Sequence, residues 1–520
     1  MKSKFFTAIS LFLVVLLVCL TVVVVYKKIN KRGNNLSENS VERTQDSESS
    51  SFASGTIKNM VEEWTYAMQG PQGGKDEMDG VSVDTKGNVI IGGPFQNTVD
   101  FNGIKRTAKT GIDVYLSKLS PTGEEIWFTT FDSGGNDFMW DLETDKNDDI
   151  LISGGYGGTL TVNGKTYNAN KNGSALFAKI DGDTGNFIWL QTAGVISSGT
   201  GIVDSERTAG GNEIKVDSQG NAVAILSARG DSYQIGERTY RPSGVMDSFI
   251  VKLSPDGEFL WEYQFLGNGR KQGRAIGVNS KDEIAFGHEL NGGIDTKEGI
   301  GFSGTNNKIA IGTAGLLTID GKLKWMIPVV SEGFANVRGA GSDSEDNVYF
   351  TGLITGDATI DDVQVTGFKN ASAFLAKFTS SGEMEWIRVL DNESEDTGGE
   401  LIVFGDSIAI TGSSMGDNYN LYDHKGNVLT EDVHTSEARK GRATLTIFNT
   451  EGAVVARHSP VYSDYSNAGV LEYAQNDCVV YQHTFYGKIT YENGDTYTSK
   501  NSVDPKTPDK DIGLAKVCLP

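Results

Sequence analysis

Seven positions recur at one place in a repeating pattern: Asp79, Trp140, Asn212, Arg274, Arg338, Gly399 and Gly469 each stand immediately before a short apolar run. An acid, an aromatic ring, an amide and two guanidinium groups gathered at one place amount to binding chemistry. Arg274 and Arg338 belong to consecutive copies, and two neighbouring guanidiniums match a carboxylate or similar anion through paired N–H donors. Trp140 beside polar groups suits the gripping of a sugar or peptide. Equivalent loops of a repeat collect on one face, so Asp79, Trp140, Asn212, Arg274 and Arg338 form the expected ligand-binding set around one opening. The same residue types also line such openings while holding only water, and Trp140 also suits packing under a loop.

Catalytic constellations are harder to assemble. The five histidines (His288, His424, His434, His458 and His483) show no H-E-x-x-H spacing, and no G-x-S-x-G elbow is present. Acidic clusters at 145–149, 181–183 and 343–347 resemble calcium loops in composition but lack the glutamate that closes an EF-hand loop. Each falls where a hairpin must turn, which Asp, Asn and Gly favour for conformational reasons. No cofactor and no metal site are expected.

The elements that would position these residues follow from repetition. GVSVDTKGNVIIGG (80–93), DLETDKNDDILISGG (141–155) and GAGSDSEDNVYFTGL (339–353) are copies of one strand–turn–strand. YLSKLSPTGEEIW (115–127), FIVKLSPDGEFLW (249–261) and FLAKFTSSGEMEW (374–386) are copies of a second. The closing tryptophans are Trp64, Trp127, Trp189, Trp261, Trp325 and Trp386, at spacings of 63, 62, 72, 64 and 61 residues. Short NG- or DD-centred hairpins such as LTVNGKTYN (160–168) lie between the two halves. Four short strands per unit cannot bury their own faces, so the units must pack on one another around an axis. The expectation is an all-β, seven-bladed β-propeller of four-stranded blades. Trp64 sits in a fourth strand with no preceding three, and the last copy stops one strand short, so the N-terminal strand is expected to close the ring. Trp140 is the only tryptophan that this series does not use.

The last copy also carries Cys478 and Cys518. By alignment Cys478 opens its second strand and Cys518 ends its third, and adjacent antiparallel strands place those ends side by side. A disulfide there is expected, the alternative being two buried thiols.

The pattern Val-x-Val-Asp-x-x-Gly-Asn-Val, a Thr/Asn-Gly hairpin, then Lys-Leu-x-Pro-x-Gly-x-x-x-Trp resembles the bacterial seven-bladed beta-propeller repeat family over residues 57–520. That resemblance implies the fold and a surface or secreted location, and no single activity. Asp181-Gly-Asp-Thr-Gly-Asn-Phe-Ile-Trp189 is in addition similar, in one unit, to the blade-docking motif of quinoprotein dehydrogenase propellers.

Phe5 to Tyr26 is uncharged and apolar and spans roughly 33 Å as a helix, enough to cross a bilayer. Residues 1–27 are therefore expected to be an uncleaved transmembrane anchor, the alternatives being a cleaved signal segment or a lipoprotein through Cys19, with 28–56 a polar flexible linker and 57–520 the propeller. Flanking lysines and Arg32 leave the orientation nearly balanced, leaning weakly towards a cytoplasmic C-terminal side. The cysteine pair favours an oxidising compartment and places the body outside the cytoplasm, at the cell surface. The formal charge is -22, and residues 1–56 hold seven basic against four acidic side chains, leaving about -25 on the rest. Such a body repels nucleic acid. The expected function is a monomeric, membrane-anchored binding or adhesion scaffold for a protein, glycan or envelope partner. The alternative is a propeller enzyme, a lyase, hydrolase or quinone-dependent dehydrogenase, working at the channel mouth.

Overall fold

A computed structural model of the chain describes residues 56–71, 76–170, 173–195, 213–230, 232–303, 310–391, 396–414, 419–434, 442–462, 466–499 and 511–520. The expected anchor, nearly all of the linker, and Asn212 lie outside the described residues. Among the described residues no helix is long and apolar enough to cross a membrane.

The described secondary structure is all β. One repeat shows how the sequence builds it. Phe138–Thr144, Ile150–Tyr156, Ser174–Ile180 and Phe187–Val195 form consecutive antiparallel neighbours, with Phe177 opposite Ser153 on one side and Gln191 on the other. Ile150–Tyr156 and Ser174–Ile180 are buried along their whole length. Both faces of these middle strands are covered, so they read as continuous runs of apolar and small residues instead of alternating. The first turn is fixed by its aspartate: in the preceding copy Asp84 Oδ1 accepts the Lys86 and Asn88 amides at 2.9 and 2.8 Å.

The cores lie between sheets. Leu151, Ala175 and Phe177 of one repeat pack in the same cluster as Ile214, Ala224 and Phe249 of the next. The fourth-strand tryptophans stitch the joints. Trp64, Trp127, Trp189, Trp261, Trp325 and Trp386 each donate Nε1–H to a carbonyl in the last turn of the following repeat: Pro121, Gly182, Pro255, Ile319, Ser380 and Thr450, at 2.8–3.2 Å. A glycine lies under each ring, and Gly257 shows why. Its φ is 86° and a Cβ there would come within 2.7 Å of Trp189. The docking anticipated for one unit is thus common to six, and the 181–185 turn receives Trp127.

The acidic turns serve the same joints. Asp148, Asp282 and Asp346 accept the amides of Thr85, Ser218 and Ser280 from the preceding repeats at 2.8, 2.8 and 3.1 Å. Their oxygens are committed to neighbours, which accounts for the clusters at 145–149 and 343–347.

The first strand of each repeat packs against the first strand of the next, from Gly80–Val83 through Phe138–Thr144 onward, and Ser466–Tyr473 packs back against Gly80–Val83. Val61–Gln69 pairs antiparallel with Asp511–Cys518, giving the order Ser466–Tyr473, Cys478–Phe485, Asp511–Cys518, Val61–Gln69. Within that sheet Cys478 faces Cys518 across the ladder and the two sulfurs are bonded. Glu62 of the N-terminal strand meets His458 Nε2 at 2.8 Å and the Asn493 amide at 2.8 Å.

Candidate functional site

The first strands of the repeats carry the candidate residues, and a local irregularity aims them. Ladder register shifts between Met139 and Asp141, Gly273 and Ala275, Val337 and Gly339, Gly398 and Leu401, and Ala468 and Leu471. Trp140, Arg274, Arg338, Gly399 and Gly469 are therefore bulge residues, where an extra residue redirects a strand's side chains. Asp79 stands just before Gly80–Val83, half-buried, its amide donating to the Gly92 carbonyl at 3.0 Å.

Of the two arginines, Arg274 is already engaged within the chain, and Arg338 is half-buried. Arg274 is buried and its Nη2 lies 2.8 Å from Glu289 Oε2, while Arg270 Nη1 lies 3.4 Å from Oε1 of the same carboxylate. Burial pushes the Glu289 carboxyl up, and Arg274, Arg338 and Arg270 more than offset it, leaving it below the usual carboxylate range. The carboxylate expected of a ligand is supplied by the chain itself, from the strand paired with Arg274. Trp140 differs. It is half-buried and stands outside the series of six tryptophans whose Nε1–H docks on the following repeat.

Just past the bulges lies a group that the sequence reading missed. Asp141 and Glu143, Glu213 and Lys215, Glu400, and Glu472 come from four repeats, and each carboxyl feels the charge of groups from at least one other repeat. Lys215 Nζ lies 3.1 Å from Glu143 Oε2. Lys215 keeps 28 % of its side chain accessible and Glu143 17 %, so the group lines a space and does not fill a solid core. Three of the acids also bridge to the next repeat. Asp141 Oδ2 accepts the Ile214 amide at 2.8 Å, Glu213 Oε2 the Ile276 amide at 2.7 Å, and Glu400 Oε2 the Leu471 amide at 2.8 Å.

The electrostatics follow from crowding. Burial, reduced by Lys215 and the amide bonds, pushes the Asp141 carboxyl up to about 6. Burial and the charge of Asp141 push Glu400 up to about 8, and burial and Glu143 do the same to Glu472. Burial and Glu400 hold Glu213 well above the usual range. Burial alone would lower Lys215, but Glu143, Asp141, Glu472 and Glu213 more than offset it and keep the ammonium charged. Near neutral pH the site thus holds the protonated carboxyls of Glu400 and Glu472, the largely ionised Asp141 and one ammonium together. It can release protons when a second cation arrives, or donate one to a bound group.

A signal for these residues exists in the sequence. They occupy the first and third positions after the aligned bulge residue: Asp141 and Glu143 after Trp140, Glu213 and Lys215 after Asn212, Glu400 after Gly399, Glu472 after Gly469.

No protein-family model matches the chain, and no curated protein matches it. Solved structures match in shape. The Dos1 propeller aligns at 7% identity and a TM-score of 0.36, covering 88% of this chain and 96% of that one. The polysaccharide lyase Uly1 aligns at 10% identity and a TM-score of 0.41, covering 89% and 100%. An alpha-L-arabinofuranosidase from Fusarium graminearum aligns at 10% identity and a TM-score of 0.39, covering 72% and 97%. The likeness is one of architecture alone: all-β and propeller-like.

Proposed function

We propose that the chain is a seven-bladed β-propeller, closed by its own N-terminal strand and tethered to the membrane through residues 5–26, with its body outside the cytoplasm. It belongs, on this reading, with the seven-bladed beta-propeller repeats that its Val-x-Val-Asp and Lys-Leu-x-Pro-x-Gly patterns resemble. It binds a protein or glycan partner that presents a cationic group at the mouth of the central channel. The sheet order around Val61–Gln69 and the chain of first-strand contacts support the closed ring. The bonded pair Cys478–Cys518 supports an oxidising compartment.

The observation that carries the binding reading is the group around Lys215: five carboxyls from four repeats and a single ammonium. A cation entering beside Lys215 meets carboxyls that ionise in response, so its affinity rises with pH. Trp140, next to Asp141 in the chain, adds an aromatic face that a cation or a sugar can use. Titration with a permanently charged quaternary ammonium, whose own charge does not change with pH, tests this. Binding should strengthen from about pH 6 to about pH 8 and weaken in Glu400→Gln. Binding that ignores both would contradict it.

A second reading has one observation in its favour. Glu400 and Glu472 hold protons near neutral pH, as a general acid for glycosidic or lyase chemistry must. Release of reducing ends from a polysaccharide panel, lost in Glu472→Gln, would support it; no release from any polymer would oppose it.

A further inference from the structure

Buried lysine–aspartate pairs recur in this chain, and one is unlike the others. In Lys118–Asp84 and Lys252–Asp217 the ammonium and carboxylate lie 2.8 and 2.7 Å apart. Burial pushes each aspartate up, and its bonds to lysine and asparagine more than offset this, so both carboxyls stay below their usual range. These are ordinary ion pairs. In the pair Lys271–Asp247 the balance is reversed. Both side chains are wholly inaccessible, and Nζ lies 3.1 Å from Asp247 Oδ1. Here burial outweighs the attraction of Asp247 and holds the amine below the usual lysine range.

The surroundings of the two groups are complementary. Lys271 Nζ lies 2.7 Å from the Gly267 carbonyl oxygen and 3.2 Å from that of Gly269. A neutral amine has two N–H donors and one lone pair; with both donors taken by carbonyls, the lone pair is left for the Asp247 carboxyl. On the other side Asp247 Oδ1 accepts the Ser243 hydroxyl at 2.7 Å. Oδ2 accepts the Ser243 amide at 2.9 Å and the Gln264 side chain at 3.0 Å. Donors on both oxygens draw electron density from Cγ, as those of an oxyanion hole do. The backbone fixes this geometry: the Lys271 amide donates to the Met246 carbonyl at 3.0 Å and the Val245 amide to that of Gly269 at 3.1 Å. Gly244 leaves the space. A Cβ there would lie 2.4 Å from the Gly269 oxygen, 2.5 Å from the Gly267 oxygen and 2.8 Å from Lys271 Nζ.

We propose that Lys271 and Asp247 condense to an intramolecular isopeptide bond. Nζ attacks Cγ, the C–N bond forms and one C–O bond breaks. The departing water takes one carboxyl oxygen and two of the three protons that the pair holds between Nζ and the carboxyl, and the third stays on nitrogen as the amide N–H. No oxidant, metal or cofactor enters the balance. Fixed apposition supplies the effective concentration that such a condensation needs, and exclusion of water removes the nucleophile for the reverse step. The product ties Asp247–Leu253 of one repeat to Arg270–Val278 of the next, a covalent joint where the other repeats rely on docking.

Mass spectrometry of the detergent-solubilised full chain, reduced and denatured, tests this. The native protein should weigh one water less than its Lys271→Arg variant after allowing for the substitution. Trypsin does not cleave after an amidated lysine, so residues 239–252 should be recovered joined to residues 271–274. Recovery of residues 239–252 alone, with cleavage after a free Lys271, would overturn the proposal. That peptide result comes from the native chain and decides the matter even if the variant does not fold.

Discussion

Glu400 and Glu472 carry carboxyls pushed up to about 8, and this fixes the sign of a pH effect. In the unfolded chain a glutamate titrates near about 4.3, so between about pH 4.3 and about pH 8 the folded protein binds more protons than the unfolded one. Stability from these groups is fully present below that window and is lost as pH rises through it. The melting temperature should therefore fall from about pH 5 to about pH 9, and fall less in the double variant Glu400→Gln/Glu472→Gln. A flat profile, or equal slopes in both proteins, would count against the buried acidic group. Trp140 makes a second residue-scale contrast. Trp140→Ala should cost under ~1 kcal/mol of stability, as a half-exposed side chain away from the joints. Trp189→Ala, which empties a docking site over Gly257, should cost ~3–5 kcal/mol by denaturant titration. Equal costs would remove the distinction on which Trp140 stands out.

At the scale of the strand, the decisive feature is the bulge. Aligning the copies places Trp140, Arg274 and Arg338 at equivalent positions because the turns on either side are chemically unmistakable: Asp84 and its equivalents lock them with side-chain bonds. Which groups of other repeats face a first strand is not written in that strand. Asp141 and Glu400 are far apart in sequence and affect each other only because their strands point the first residue after each bulge inward. Period-two alternation, read without the bulge, assigns those residues to the wrong face. The partnership of Arg274 with Glu289 was hidden for a related reason, since it needs the register of two neighbouring strands and not the spacing of one. The buried pairs are a further element-scale test. Lys252→Met leaves Asp217 unpaired in the interior and should cost ~3–5 kcal/mol. A loss below ~1 kcal/mol, measured by the same titration, would show the pair to be incidental.

For the whole molecule, the N-terminal strand joins the two ends of the described chain in one sheet. Val61–Gln69 follows the expected linker directly and completes the sheet that ends at Cys518. The leftover strand at each end of the chain made this pairing legible from the repeat alone. Deleting residues 57–69 should expose the edge of Asp511–Cys518, lower the thermal transition, and produce oligomers by size-exclusion chromatography. A deletion variant that stays monomeric with an unchanged transition would contradict the closed ring. The proposed ring would present the acidic group around Lys215 to a cationic partner. Calorimetric titration of the full chain with a glucosamine oligomer and with its N-acetylated counterpart tests it most directly. The amino form should bind at least about tenfold more tightly than the acetylated one, and Trp140→Ala should lose about tenfold in affinity. Equal affinity for the two oligomers, or none for either, would contradict the claim.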